Sequence, residues 1–436
     1  MKDKRKHIPE IEKRPRAEIR AFQDEKLKEM LVYISRSSTY YAEVFNNFGV
    51  DISKIRGIED LPLLPVTTKD ELHRYNDEFI CVPRSKVVDL ITTSGTMGDP
   101  VTFAMTDHDL DRLAYNEYLS LSCAGTDEDD TFQLMTTMDR RFMAGLAYFL
   151  GARRLGAGII RVGIGMPELQ WDTIHRFNPT AFIVVPSFLL KLIEYAESNG
   201  IGYHNTGVKK AICIGEPLRK PDFSLTTLGQ KILDKWDIEL YSTYASTEMS
   251  TAFTECEHAV GGHQHPELII VEFLDDDNQP VAEGEEGEVT ITTLGVEGMP
   301  LLRFKTGDIC YHYDEPCACG RTTTRLGAVI GRKKQMIKFK GTTLYPPALF
   351  DILENIEGIE NYVVEVFTND LGTDEIRIRV GSRRTDDAFA AILKDRFRAK
   401  LRVAPSIVFD TVENIEKIRF PEENRKALNF IDRRTK

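Results

Sequence analysis

Apolar positions along this chain switch between two periods. Between residues 15 and 50 they recur at helical spacing, with Leu27, Met30, Leu31 and Ile34 on one face. Ser37-Ser38-Thr39-Tyr40-Tyr41 breaks that run. Ile58-Glu59-Asp60-Leu61-Pro62-Leu63-Leu64-Pro65 then reads as a proline-punctuated connector, leading to a short helix that Thr67 or Thr68 would cap. The β-branched run 87–91 predicts a strand. Beyond it helices (107–122, 143–155, 171–177, 187–198) alternate with strands (131–135, 158–163, 181–186, 210–214, 238–241). That alternation predicts parallel strands covered by helices. In such sheets a ligand sits beyond the carboxyl ends of the strands. The stretches 92–100, 186–187, 215–217 and 241–248 are therefore where chemistry is expected.

From about residue 267 the texture turns β-rich, with strands 268–274 and 287–293 around an acidic loop, as in a small barrel. From 334 a separate α+β unit is predicted: strand 336–339, helix 347–356, strands 362–367 and 375–380, helix 386–400, strand 406–409. The expected organisation is thus an α/β protein. A large layered N-terminal domain (1–332, β-rich over about 250–330) would be followed by a small mobile α+β domain (334–436).

Composition narrows the function classes. The net charge of −12 over 436 residues argues against a nucleic-acid surface, which needs a basic face. No apolar run reaches the roughly 18 residues of a membrane span, and the basic start 1–6 is followed by no apolar signal segment. A reducing cytoplasm is expected, because 7 cysteines in so long a chain are no disulfide framework.

Four stretches carry candidate chemistry. Thr92-Thr93-Ser94-Gly95-Thr96-Met97-Gly98-Asp99-Pro100 combines hydroxyls with two glycines, and backbone N–H groups in such a turn can cradle an anion. Tyr241-Ser242-Thr243-Tyr244-Ala245-Ser246-Thr247-Glu248 offers small side chains beside a flat ligand and ends on an acid. Arg303-Phe304-Lys305-Thr306-Gly307-Asp308 places a carboxylate where ribose hydroxyls could bond to it, and Gly331-Arg332-Lys333-Lys334 opens a cationic run at the domain boundary.

In this order the four stretches resemble the adenylate-forming superfamily. Pro65-x-Thr67-Thr68-Lys69, Val185-Pro186-Ser187, Gly215-Glu216-Pro217 and Cys317-x-Cys319-Gly320-Arg321 are similar to its phenylacetate–CoA ligase branch. The resemblance implies ATP-dependent conversion of a carboxylate, of the aromatic kind, to an acyl-adenylate and then to a coenzyme A thioester. It implies triphosphate binding by Ser94, Gly95, Thr96 and Gly98, and Mg²⁺ binding by Glu248. The nucleotide would lie against Gly215, Glu216, Pro217, Tyr241, Ser242, Thr243, Tyr244 and Thr247, with Asp308 and Arg332 at the ribose. Thr96, Glu248 and Lys426 would be the catalytic set, with Lys417 the alternative lysine. Tyr148, Phe182, Pro186, Ser187 and Ala245 would line the acyl pocket and Lys334 would be the hinge. Asp99, Ala245 and Arg425 depart from the family's lysine and two glycines.

Cys256, His263, Cys317 and Cys319 form a three-thiolate, one-imidazole set suited to structural Zn²⁺. His258 and His265 compete for the fourth position, and the resemblance favours His263. Expected partners are the acid, ATP or AMP and coenzyme A, with no nucleic acid, no membrane, and a homodimer as an option. Competing readings are an adenylating enzyme that passes its group to a carrier protein or deazaflavin cofactor, and a non-catalytic nucleotide-binding zinc protein.

Overall fold

A computed structural model describes residues 7–93, 101–339, 342–369, 373–401, 403–421 and 427–434. The chain forms two compact units, one of residues 1–306 and 310–328, the other of 307–309 and 329–436. Among the described residues no helix is long and apolar enough to cross a membrane.

The first unit is built on a six-stranded sheet in the order Gly158–Arg161, Thr131–Leu134, Ala181–Val184, Lys210–Cys213, Glu239–Ser246, Thr251–Thr254. The first five strands are parallel and the last is antiparallel. Helices Pro167–Phe177, Pro186–Ser198 and Thr227–Lys235 supply the apolar layer on one face. Asp107–Cys123 and Met143–Leu155 supply the other. The last two approach closely because position 151 is glycine: a Cβ there would lie 2.3 Å from that of Glu117.

Period-2 alternation along Ala181–Val184 sends Phe182 and Val184 into one layer and Ala181 and Ile183 into the other, all fully buried. Phe182 packs edge-on to Trp236 at 5.8 Å. Its side chain belongs to the core between sheet and helices, and the expectation that it walls an acyl pocket gives way to that position.

Three further expectations are corrected. The strand Asp89–Thr92 pairs antiparallel with Thr102–Met105 in a separate two-stranded sheet and is no member of the parallel sheet. The break at 37–41 is one residue wide. Ser38 caps a second helix, Thr39–Asn47, accepting the Tyr41 N–H, and Tyr40 stacks on Phe79 at 4.0 Å. The β-rich region is a five-stranded sheet, not a closed barrel, in the order Ile269–Leu274, Gly287–Thr293, Phe304–Tyr313, Arg325–Arg332, Gly262–His263.

The second unit has a four-stranded sheet in the order Ser406–Asp410, Asp374–Gly381, Asn361–Thr368, Phe430–Asp432. Val364, Val366, Ile376 and Ile378 pack under Leu393 and Phe397 of the helix Asp387–Leu401. The helix Val412–Arg419 and the strand Phe430–Asp432 escape the sequence reading. The helix carries only one buried residue, Ile415, and the strand is three residues long, so neither writes a periodic pattern.

Candidate functional site

The carboxyl ends of the parallel strands gather much of the expected site. Gly215 follows Lys210–Cys213 with φ +75°, a turn that favours glycine. It presents Glu216, whose Oε2 accepts the Ser187 backbone N–H at 2.9 Å and whose Oε1 accepts the Ser187 hydroxyl at 2.7 Å. Glu216 thus caps the helix Pro186–Ser198, where Pro186 holds the first position with no N–H to satisfy. Two loops expected to meet the ligand are thereby tied to each other.

The strand Glu239–Ser246 extends through most of the stretch read as a turn. Tyr241 is 4% exposed, packed with Tyr148 (3% exposed) and Ile212, and its hydroxyl donates to Glu239 at 2.6 Å. The ring expected at the adenine and that of Tyr148, expected in the acyl pocket, therefore both lie in the core. Ser242, Tyr244, Ser246 and Thr247 are half-buried and Ala245 is exposed. Thr243 is buried, with its hydroxyl 2.9 Å from that of Thr254.

The register of this strand depends on a pair that sequence reasoning missed. Glu255 takes the Arg219 guanidinium with both oxygens, at 2.7 and 2.9 Å, and its Oε1 also accepts the Ser242 N–H at 2.7 Å. No local motif marks Arg219 or Glu255, which lie 36 residues apart.

Glu248 is 8% exposed and pairs with Lys69 Nζ at 3.3 Å. Lys69 opens the helix Lys69–Arg74 behind a capping box of Thr68 and Glu71. Thr67 stitches the helix's approach to the next motif: its N–H donates to the Arg303 carbonyl at 3.0 Å, its hydroxyl to the Leu302 carbonyl at 2.7 Å. Arg303, 1% exposed, spends its guanidinium on Glu272, the Leu64 carbonyl and the Asn278 carbonyl. It is an internal post of the fold. Within the second unit, Asp308 accepts from Arg332 Nε at 3.0 Å, which brings together the two residues expected at a ribose. Lys334 lies in the short turn Lys333–Gln335, and Lys417 on the helix Val412–Arg419. Ser94, Gly95, Thr96, Gly98 and Lys426 lie outside the described residues.

Cys256, His263, Cys317 and Cys319 converge, all buried, with ligand atoms within 4.8 Å of one another. Cys256 Sγ is 3.7 Å from Cys317 Sγ, and His263 Nε2 is 3.4 Å from Cys256 Sγ and 3.6 Å from Cys319 Sγ. An ion with bonds of about 2.3 Å to sulfur and 2.0–2.1 Å to nitrogen, at tetrahedral angles, would separate sulfur pairs by about 3.7 Å and sulfur–nitrogen pairs by about 3.5 Å. The donor set fits zinc in both chemistry and size. Burial pushes the His263 pKa down, which keeps the imidazole in the neutral, ligating form.

Gly320, at φ +100°, turns the Cys317–Cys319 knuckle, closed by the Gly320 N–H on the Cys317 carbonyl at 2.9 Å. His258 is exposed. His265 is committed elsewhere, its Nδ1 sharing a 2.6 Å hydrogen bond with Glu12 Oε1. Glu12, fully buried, also accepts Arg321 Nε at 2.6 Å, and Arg321 donates to Cys319 Sγ at 3.6 Å. Cys123 lies against the cluster but is not among the four; burial pushes its thiol up to about 12.

A parallel sheet sandwiched by helices, with a β-rich sheet and a small α+β unit, is the fold of the adenylate-forming ligases. Residues 32–298 match the family of AMP-binding enzymes, and the chain belongs to that family, in its phenylacetate–CoA ligase-like branch. It is 30% identical over 377 residues to a phenylacetate–coenzyme A ligase of Thermus thermophilus, covering 85% of this chain and 83% of that protein. Among solved structures, a 2-hydroxyisobutyryl-CoA ligase in the postadenylation state with 2-HIB-AMP superposes with a TM-score of 0.85 at 22% identity, covering 99% of this chain and 95% of that one. The same ligase with 2-HIB-AMP and CoA in the thioesterification state gives 0.71 at 23% identity, covering 100% and 95%.

Proposed function

We propose that the acid this enzyme activates is aromatic and phenylacetate-like. The protein is an AMP-forming acid–CoA ligase. A carboxylate oxygen attacks the α-phosphorus of ATP and pyrophosphate leaves. The thiolate sulfur of coenzyme A then attacks the acyl carbon of the adenylate and AMP leaves. No strong base is needed in the first half, because the nucleophile is already anionic. Catalysis there is positioning and charge stabilisation at phosphorus. What carries the aromatic reading is the likeness to the Thermus ligase, which runs over 83% of that protein's length.

On this reading Asp308 holds the ribose hydroxyls, oriented by Arg332, and Ser94, Gly95, Thr96 and Gly98 cradle the phosphates. Lys426 bridges carboxylate and α-phosphate, and Lys334 is the pivot of a small domain that turns between the two half-reactions. The nucleotide rests on 215–217 and the outward side chains of 242–247. Pro186, Ser187 and Ala245 bound the acyl group. Glu248 would hold Mg²⁺, whose charge neutralises phosphate oxygens. One carboxylate completed by substrate phosphates is the usual arrangement for that ion. Lys69 is the counter-ion of Glu248 in the structure as it stands. The four-residue cluster would hold a structural Zn²⁺, and the setting is cytoplasmic.

Pyrophosphate release from a panel of acids, with and without coenzyme A, tests the reading. Phenylacetate and close aryl acids are expected to give the highest kcat/KM, with thioester formed only when coenzyme A is present. Preference for a short branched aliphatic acid by tenfold or more would overturn it.

A further inference from the structure

The second unit contains an arginine whose hydrogen bonding is saturated. Arg434 Nε donates to Asp432 Oδ1 at 2.8 Å. One terminal nitrogen donates to the Met336 carbonyl at 2.8 Å and to Asp374 Oδ2 at 3.1 Å. The other donates to the Lys334 carbonyl at 3.2 Å and to Asp432 Oδ2 at 2.6 Å. All five N–H groups of the guanidinium are used. Two acceptors belong to the backbone of the 333–336 turn, and the rest come from two strands of the unit's own sheet, Phe430–Asp432 and Asp374–Gly381. Asp374 Oδ2 also accepts the Lys338 N–H at 2.7 Å.

We propose that Arg434 is a positioning residue for thioester formation: it locks the Lys334 and Met336 carbonyls to the four-stranded sheet of the second unit and so confines the pivot to the bonds between Arg332 and the Lys334 carbonyl. The proposal rests on the reading of Lys334 as pivot and adds the device that keeps the pivot short. Upstream, Arg332 is held by Asp308 at 3.0 Å. Between these two arginine anchors the backbone runs through Lys333 and the Cα of Lys334, in a turn closed by the Met336 N–H on the Lys333 carbonyl at 3.2 Å. A rotation absorbed over so short a stretch has a defined axis. Release of the downstream anchor would spread the same rotation over residues as far as Lys338 and blur its end point. The half-reaction that needs the unit re-placed, transfer to coenzyme A, then suffers more than adenylation. Lysine cannot substitute, because one ammonium has three donors and no planar fork to span four groups on three segments.

The test uses full-length protein carrying Arg434→Gln, Arg434→Lys or Asp374→Asn, with Lys334→Pro as reference. Amide hydrogen exchange at 335–338 is expected to rise tenfold or more in both Arg434 variants and less in Asp374→Asn. Amides of the strand Asn361–Thr368 should stay at the parental rate. With phenylacetate as probe, pyrophosphate–ATP exchange should stay within twofold, while conversion of chemically supplied phenylacetyl-adenylate to thioester falls at least tenfold. Exchange that rises across the whole unit, or equal loss in both half-reactions, would make Arg434 a general brace and overturn the proposal. If Lys334→Pro separates the half-reactions and Arg434→Gln does not, Arg434 alone is refuted. If neither separates them, the pivot reading falls as well.

Discussion

Many single side chains in this protein are spent on holding the fold. Arg303 and Glu272 are spent on each other, and Glu216 on Ser187. Asp308, 7% exposed, accepts from Arg332 Nε at 3.0 Å, the other residue expected at a ribose. Asp308→Ala is expected to weaken ATP and AMP alike in calorimetric titration, since both carry the ribose, by about 1.5–3 kcal/mol per charge-assisted hydrogen bond lost. Unequal losses would point to the phosphates instead.

Glu117 shows the opposite economy. It is buried under Gly151, takes a hydrogen bond from Asn116 at 3.1 Å on Oε1, and Oε2 has no partner among the described residues. Burial pushes its pKa up to about 8, against the Asn116 bond that lowers it. The folded state therefore holds a proton that the unfolded chain, titrating near 4.3, has released. Stability from this group is fully present below about pH 4.3 and is lost as pH rises toward 8, at about 1.4 kcal/mol per pH unit between those limits. Glu117→Gln should flatten that fall, so that melting temperatures of variant and parent diverge in the variant's favour from pH 5 to pH 8. Parallel curves would show that Glu117 finds a partner in solution.

At the scale of elements, the Cys317–Cys319 knuckle is a junction. Through Arg321 it reaches Glu12, and the Thr322 N–H donates to the Glu12 carbonyl at 2.8 Å, so the segment 10–14 is sewn to the Cys/His cluster from two sides. One zinc per chain is expected by elemental analysis. Cys317→Ser should lose it, with a fall in melting temperature and early proteolytic cleavage near residues 7–16, while nucleotide affinity holds. A metal-free protein of unchanged stability would remove the site. Glu12→Gln leaves all four ligands in place and weakens only the strap. It should speed metal loss to a chelator by severalfold without changing the stoichiometry.

At the scale of the whole molecule, the expected cycle asks one pivot to serve two reactions. Proline fixes φ near −65° and restricts the residue before it. Lys334→Pro is expected to hold the adenylating arrangement. Pyrophosphate–ATP exchange should survive near the parental rate and thioester formation should fall by two orders of magnitude or more. Lys334→Ala should keep both. A proline variant that still makes thioester at the parental rate would place the pivot elsewhere.

Residue order alone was enough for the class of fold and for the four metal-ligand candidates, because periodicity and side-chain chemistry are local properties. The run from 131 to 214 alternates strand and helix by its apolar spacing, and thiols and imidazoles declare themselves by type. Which face a side chain takes was not local. Phe182 and Tyr241 look like pocket walls in the sequence, yet each lies on a strand with helices against it, and burial on both faces turned them into core. His263 and His265 are equivalent by spacing. The fold separates them: His263 Nε2 lies 3.4 Å from Cys256 Sγ, while Glu12, 253 residues from His265 along the chain, takes the second into a hydrogen bond. The antiparallel partner of Asp89–Thr92, the Arg219–Glu255 register pin and the Arg434 clasp all depend on contacts between distant segments. Such contacts leave no pattern in either partner's neighbourhood, and they exist only once the core has brought the segments together.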